Sequence, residues 1–429
     1  MRERPPHVVI VGGGFAGLWA TRALASTPLR ITLVDRGNHH LFQPLLYQVA
    51  TAGLSAPDIA APLRHILRAQ RNVEVRMANV TGIDADAKRI ELDDGSSLDF
   101  DALLLASGAT HAYFGNDHWA AHAPGLKTLD DALDLRRKLL LAFERAEAAT
   151  DSAEREAWLN FAIVGGGPTG VELAGTLAEI ARHTLQDEFR NIDPSRARVR
   201  LIEAGPRVLA SFPDALSAKA KRQLEKLGVE VALGTPVKDI NADGYTLGDT
   251  FVPARTVVWA AGVAASPLGA MLGVPLDRAG RVQVQPDLSV PGHPDIFVAG
   301  DLAALLQANG KPVPGVAPAA KQMGKLAARN IRARLSGSKT AAFAYKDYGN
   351  LATIGRMAAV VDLGKIRFSG VLAWWFWLVM HVFFLIGFRN RLVVLLNWWW
   401  AYWSYQRAAR IILGLPRKLT DFDKTLTRY

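Results

Sequence analysis

Three features of the 429-residue sequence predict an α/β protein that uses one βαβ unit twice and ends in an apolar helical region. Two of them are glycine-rich turns, residues 12–17 and 165–170, each set between a β-branched run and a helical pattern. The third is a C-terminal stretch that holds seven of the 11 tryptophans, between Trp374 and Trp403.

The first unit opens with Val8-Val9-Ile10-Val11, breaks into Gly12-Gly13-Gly14-Phe15-Ala16-Gly17, and continues as a helix pattern from Leu18 to Leu24. In a dinucleotide-binding unit Gly12 makes the tight turn, Gly14 lets the backbone approach a pyrophosphate, and Gly17 lets helix and strand pack closely. Free N–H groups and partial positive charge at the helix start favour the phosphates. A second apolar run, Ile31 to Val34, ends in Asp35, 18 residues past Gly17, where a carboxylate can accept from a ribose hydroxyl.

The unit then repeats. Phe161 to Val164 leads into Gly165-Gly166-Gly167-Pro168-Thr169-Gly170, a helix pattern runs to Ile180, and the second acid is Glu203. Its greater distance requires an insertion within residues 182–198. These are two Rossmann-like dinucleotide-binding domains from duplication. One site suits a tightly held flavin and the other a mobile nicotinamide, although the glycines do not say which.

Between these motifs the chain reads as follows. His39 and His40 are adjacent, a spacing that suits no helical ligand pair, so no metal is expected. Pro57 to Arg68 reads as an amphipathic helix, Val73 to Ile83 as strand and turn, and Ile90 to Phe100 as a hairpin through Asp93-Asp94-Gly95. Ala102 to Ser107-Gly108 is a buried strand ending in small residues, where backbone can pass close to a cofactor. Leu129 to Ala149 is a long helix, and Pro206 to Leu227 is also read as helical. Thr256 to Ala261-Gly262 repeats the pattern of Leu103 to Gly108. Asp295 to Val298 leads through Ala299 and Gly300 to Asp301, an acid at a strand end that either faces a ligand crevice or caps a helix. Val316 opens a helix to about Leu335, with Pro318 at its first position and the amides of Ala319 and Ala320 free to donate to a flavin's pyrimidine edge.

The chain carries +10, of which residues 365–429 contribute +8 from ten Lys/Arg and two acids. A basic tail with tryptophan clusters fits an anionic membrane surface better than nucleic acid, which is not expected as a partner. The sequence has no cysteine, which excludes disulfide scaffolding, thiolate metal sites and electron transfer through a protein dithiol. Met1 to Pro6 shows no secretory signal pattern, so a cytosolic nucleotide pool is expected. Residues 369–388 are uncharged and long enough to span a bilayer, whereas Leu392 to Tyr405 is too short. Tryptophan belongs at the interface, so helices lying in the cytoplasmic leaflet are the favoured reading over a span or over burial against a partner chain.

Taken together, both nucleotide motifs, residues 38–51 (NHHLFQPLLYQVAT), Gly165 to Gly175 (GGGPTGVELAG), Ala299-Gly300-Asp301, Ala317 to Met323 and the tryptophan-rich end resemble the type II NADH dehydrogenases. These are single-chain, non-proton-pumping NADH:quinone oxidoreductases. The resemblance implies non-covalent FAD in a discontinuous domain, 1–115 and 285–345, NADH in a domain over 116–284, and a membrane-association region over 346–429. It implies FAD contacts from Gly12, Gly14, Phe15, Ala16, Gly17, Asp35, Arg36, Gln48, Thr51, Val80, Ser107, Gly108, Gly300, Asp301, Ala317, Pro318 and Ala319. It implies NADH contacts from Gly165, Gly167, Pro168, Thr169, Gly170, Glu172, Glu203, Ala261 and Gly262. The acid at Glu203 repels a 2′-phosphate and so favours NADH over NADPH, with Arg207 as the counterweight.

The implied reaction moves a hydride from NADH to FAD and two electrons on to a membrane quinone, ubiquinone or menaquinone. Glu172, Lys321 and Gln322 are the candidate catalytic groups. Glu172 resembles a family position near nicotinamide and flavin, and a solvated charge in a helix's first turn is its other reading. The family usually has glutamine where this chain has Pro318, which shifts any quinone contact toward Gln322. The expected location is the cytoplasmic face of the inner membrane, monotopic, with a homodimer as a candidate assembly. The competing enzyme class is a flavoprotein reductase for a ferredoxin- or rubredoxin-like carrier, and the competing non-enzyme is a nucleotide-binding redox sensor.

Overall fold

The computed structural model describes residues 4–404, 407 and 409–414. The chain folds as two compact units. The first takes the chain up to Leu41, returns over Ala60–Thr110 and again over Val263–Tyr348. The second takes Phe42–Ile59, His111–Gly262 and the chain from Gly349 onward.

A six-stranded sheet organises the first unit, in the order Ser289–Val290, His293–Val298, Ala102–Leu105, His7–Val11, Arg30–Asp35 and Val73–Met77. All but the two-residue edge strand run parallel. The central strands His7–Val11 and Ala102–Leu105 are buried at every position, which is why they read as unbroken apolar runs rather than alternating ones. Two helices, Phe15–Ala23 and Ala317–Leu335, meet through small residues. A Cβ at Gly324 would lie 2.1 Å from the Ala16 carbonyl oxygen, so the contact admits no side chain.

The second unit has a four-stranded parallel sheet in the order Val229–Leu233, Arg198–Glu203, Asn160–Val164 and Thr256–Trp259. Helix Leu129–Ala148 starts at a reciprocal cap between Thr128 and Asp131, which satisfies two otherwise orphan amides. Helix Pro168–Glu179 runs into a π-helical turn, Ile180–Thr184, where the expected insertion begins. A three-stranded sheet, Asn350–Gly355, Ala358–Asp362 and Arg367–Ser369, packs on that helix. A Cβ at Gly175 would lie 1.6 Å from the Ile354 carbonyl oxygen.

Three sequence expectations are corrected. The helix expected over Pro57 to Arg68 is broken into a turn at Ala56–Ile59, a strand at Ala60–Pro62 and a helix at Leu63–Leu67. Pro62 disfavours helical backbone at Ala61, and the extended segment pairs with His39–Leu41 instead. Helix begins only at Asp214 within 206–227, after Pro213. The apolar stretch 369–388 is not one helix: Val371–Phe384 has 14 residues, Leu385 is extended, Gly387 turns at φ +91°, and a second helix runs Phe388–Ser404. Fourteen residues rise only about 21 Å against a hydrocarbon core of about 30 Å. Among the described residues no helix is long and apolar enough to cross a membrane.

Candidate functional site

The two glycine loops are built alike, each within its own unit. Gly12 and Gly165 sit at φ +104° and +115°, where an L side chain would be strained. Their amides donate to the carbonyls of Val34 and Ile202, both at 2.7 Å. A Cβ on Gly12 would strike the Ala106 carbonyl oxygen at 2.3 Å, and one on Gly165 would strike the Ala260 carbonyl at 2.5 Å. It is therefore the absence of a side chain on Gly12 and Gly165 that lets each loop close on the main chain at the end of a buried strand. Gly17 and Gly170 lie under the carbonyls of Gly12 and Gly165, with no room for a methyl group.

The distal acids hold the loops from the other side. Asp35 accepts from the amides of Gly13 at 2.5 Å and Gly37 at 2.7 Å. Glu203 accepts from the amides of Gly166 at 2.6 Å and Gly205 at 2.7 Å. Each carboxylate oxygen keeps a lone pair for a further donor such as a ribose hydroxyl. Gly14 and Gly167 differ from the other loop glycines: nothing lies within 4 Å of where their Cβ would stand. That open space over a helix start is where a pyrophosphate fits. In the first unit the buried Ser107 hydroxyl oxygen also has no partner among the described groups. The residues present fit a dinucleotide in both loops.

The other first-unit candidates are placed as follows. Gly300, at φ +79°, would bring a Cβ within 3.5 Å of the side chains of Ala16 and Ala320. Asp301 lies in a short 3₁₀ turn, Gly300–Leu302, whose N-cap position is Ala299, so the acid is not a helix cap. Helix Ala317–Leu335 places Pro318 at its second residue, one later than expected. The Ala320 amide is already bonded to Val316 at 3.0 Å, which leaves Ala317 and Ala319 with amides outside the helical ladder. Arg36 is exposed and Val80 is half-buried opposite Leu92. Lys321 rests its ammonium 4.0 Å from the Trp19 ring centre, where burial and the charges of Lys325 and Arg22 lower its pKa. The Gln322 amide closes in both directions on the main chain of Lys346, at 2.9 Å each.

In the second unit Glu172 is buried on helix Pro168–Glu179, in the second turn. Burial drives its pKa well above the ordinary carboxyl value, against a backbone hydrogen bond from Thr353 that pulls it down. The solvated-charge reading is thereby overturned: the turn that carries it faces Asn350–Gly355. Gly262 is pinned beneath the Phe114 ring. Arg207 meets Asp214 and the Ala210 carbonyl, so its charge is answered within the chain.

Gln48 and Thr51 also belong to the second unit. The Thr51 hydroxyl donates to the Tyr47 carbonyl, and Gln48 lines a cavity of about 110 Å³. Gln48 Nε2 donates to the Tyr47 hydroxyl at 2.9 Å while its Oε1 accepts from Trp398 at 2.7 Å. Thr176, Glu179, Arg356, Trp377, Tyr402 and Arg407 are among the other lining residues. Glu179 and Arg407 form an ion pair at 3.3 Å, and Arg407 also reaches the Thr51 carbonyl. The Trp377 indole N–H is buried with no partner among the described groups. Sequence reading missed this cavity because Glu179 and Arg407 lie 228 residues apart. The one available signal was Glu172, Thr176 and Glu179 at helical spacing on an otherwise apolar helix.

The profile of the pyridine nucleotide-disulphide oxidoreductases matches residues 6–324, which sets the class: enzymes with two dinucleotide-binding halves. That of the NDH2 C-terminal domain matches residues 348–402. The chain is 47% identical over 422 residues to the type II NADH:quinone oxidoreductase Ndh of Mycobacterium tuberculosis, covering 94% of this chain and 90% of that protein. It is 32% identical to the demethylphylloquinone reductase NdbB of Synechocystis, over 93% and 96% of the two chains. The structure of NDH2 from Plasmodium falciparum in complex with NADH superposes with a TM-score of 0.85 at 20% identity, over 96% of this chain and all of that one. The chain belongs to the type II NADH:quinone oxidoreductases. It is an FAD-dependent enzyme that transfers electrons from NADH to a quinone.

Proposed function

We propose that FAD occupies the first unit, NADH the second, and the quinone headgroup the cavity of the second unit. When bound, FAD supplies the hydride acceptor and the two-electron donor. The chain's own part is to bind, orient and hold protons. Asp35 and Glu203 meet the two ribose groups, the open faces at Gly14 and Gly167 receive the pyrophosphates, and Glu203, with the nearby Arg207 engaged by Asp214, disfavours NADPH.

The observation that carries the quinone assignment is the unpartnered Trp377 N–H in an aromatic-walled cavity. A quinone needs a donor to each carbonyl and flat apolar walls for its ring. Trp377 offers one N–H, and Tyr47, whose oxygen already accepts from Gln48, offers its O–H as the second. Glu172 shares a helix with Thr176 and Glu179 of the cavity wall, and burial favours its protonated form, which makes it the candidate proton store for the quinol.

The same region supports attachment to a lipid surface. Leu372, Phe383 and Trp403 are 75%, 63% and 71% exposed, and Arg389 is exposed as well. Helices of this composition lie in a membrane interface, here on the cytoplasmic side, where NADH is supplied. Trp377→Phe tests the assignment because it removes one N–H and keeps an aromatic ring. The expected result is a quinone KM raised about tenfold with NADH-to-ferricyanide turnover unchanged. An unchanged KM would place the quinone elsewhere.

A further inference from the structure

The middle glycine of each loop carries a carbonyl just ahead of a helix start, and a buried carbonyl needs a donor. In the second unit that donor is main chain: the Leu209 amide bonds the Gly166 carbonyl at 2.7 Å. Leu209 reaches it at φ +50°, a conformation uncommon for leucine. In the first unit the donor is a side chain, His40, whose Nδ1 lies 2.9 Å from the Gly13 carbonyl oxygen.

His40 is 2% exposed and stands edge-on to the Phe15 ring at 5.1 Å, with Phe15 opening the helix that follows the loop. A carbonyl oxygen only accepts, so Nδ1 carries the proton and Nε2 presents a lone pair. That lone pair is buried without a partner among the described groups. A phenylalanine or leucine would fill the same volume without an orphaned acceptor, so what histidine adds at this position is its Nδ1 donor. Burial lowers its pKa to about 4, which keeps the ring neutral.

We propose that His40 is a positioning residue for cofactor binding, a side-chain latch that holds the phosphate-receiving loop of the first unit as Leu209 holds that of the second. It ties the Gly13 carbonyl back so that the loop amides stay turned toward the dinucleotide. This rests on the reading that FAD occupies the first unit. The latch comes from the strand His39–Leu41, so the adjacent histidines serve loop geometry rather than a metal.

The test uses full-length enzyme, read by flavin occupancy as purified, by the temperature of flavin release, and by FAD titration of the stripped chain. His40→Asn keeps a donor near the Nδ1 position and is expected to bind FAD within about threefold of wild type. His40→Phe and His40→Gln lose that donor and are expected to weaken FAD by about tenfold or more, with the stripped protein still melting cooperatively. Wild-type affinity in His40→Phe, or equal loss in His40→Asn, would overturn the latch. Gly14→Val, measured alongside, separates the two readings. If it keeps its flavin, the first-unit assignment fails; if it loses flavin while His40→Phe does not, only the latch fails.

Discussion

Glu172 shows how far one side chain can depart from its surface chemistry. Its folded pKa is raised by burial, so the native state holds a proton that the unfolded chain releases above about 4.5. Stability from this group is complete below that value and is lost as pH rises through the folded one, with a slope of about 1.4 kcal/mol per pH unit for one proton. Glu172→Gln removes the titration, and the difference between the two melting curves should widen from pH 5 upward. A constant difference would mean that Glu172 is ionised when folded. The loop glycines make a second pair of tests. Both Gly14 and Gly167 have room for a side chain, so valine at either is expected to leave the fold intact. Gly14→Val should yield colourless protein, whereas Gly167→Val should keep its yellow colour and raise the KM for NADH by tenfold or more, read by flavin absorbance and stopped-flow reduction. Such roles were legible in the sequence because a turn that admits only glycine leaves glycines at fixed spacing. Glu172's burial was not, since helical spacing says which face a residue shares and not what covers it.

At the scale of elements, the helices Val371–Phe384 and Trp-rich Phe388–Ser404 have two duties that composition alone merges. One face is exposed and apolar, and the other is packed: Trp377, Leu378 and Val394 are buried, Asn390 bonds the Pro57 carbonyl, and Trp398 bonds Gln48. Deleting everything from Phe368 would therefore remove core and cavity wall together with any anchor. Leu372→Ser, Phe383→Ser and Trp403→Ser combined are expected to move the enzyme from the membrane pellet to the supernatant with ferricyanide reduction retained. Pelleting at the wild-type level would reject these helices as the attachment surface. The Glu179–Arg407 pair ties the segment after the second helix to the cavity wall, both side chains being about nine-tenths buried. Arg407→Met should cost about 3 kcal/mol by stranding Glu179, and Glu179→Gln in the same chain should restore most of it. Length, apolarity and tryptophan count could be read from the chain, whereas the break at Leu385 to Gly387 was overlooked, its one mark being the glycine that takes φ +91°.

Across the whole molecule, the duplicated architecture followed from local signals: β-branched runs, glycine spacing and a distal acid each sit within about forty residues of one another. The interleaving of the units did not, since Phe42–Ile59 leaves the first unit's sequence to join the second, and only tertiary packing decides that. The cavity was illegible for the same reason, being walled by residues from Tyr47 to Arg407. This dispersal has a consequence for synthesis on the ribosome. The first unit's last segment ends at Tyr348, so the half proposed to hold FAD is fully translated while the final stretch is still emerging. Trp377, Trp398 and Arg407 come last, and a nascent chain cannot enclose a quinone until they arrive. A polypeptide released early by even a few dozen codons would still have the residues proposed to load pigment and oxidise nicotinamide, yet would lack the far wall of the cavity assigned above to the quinone.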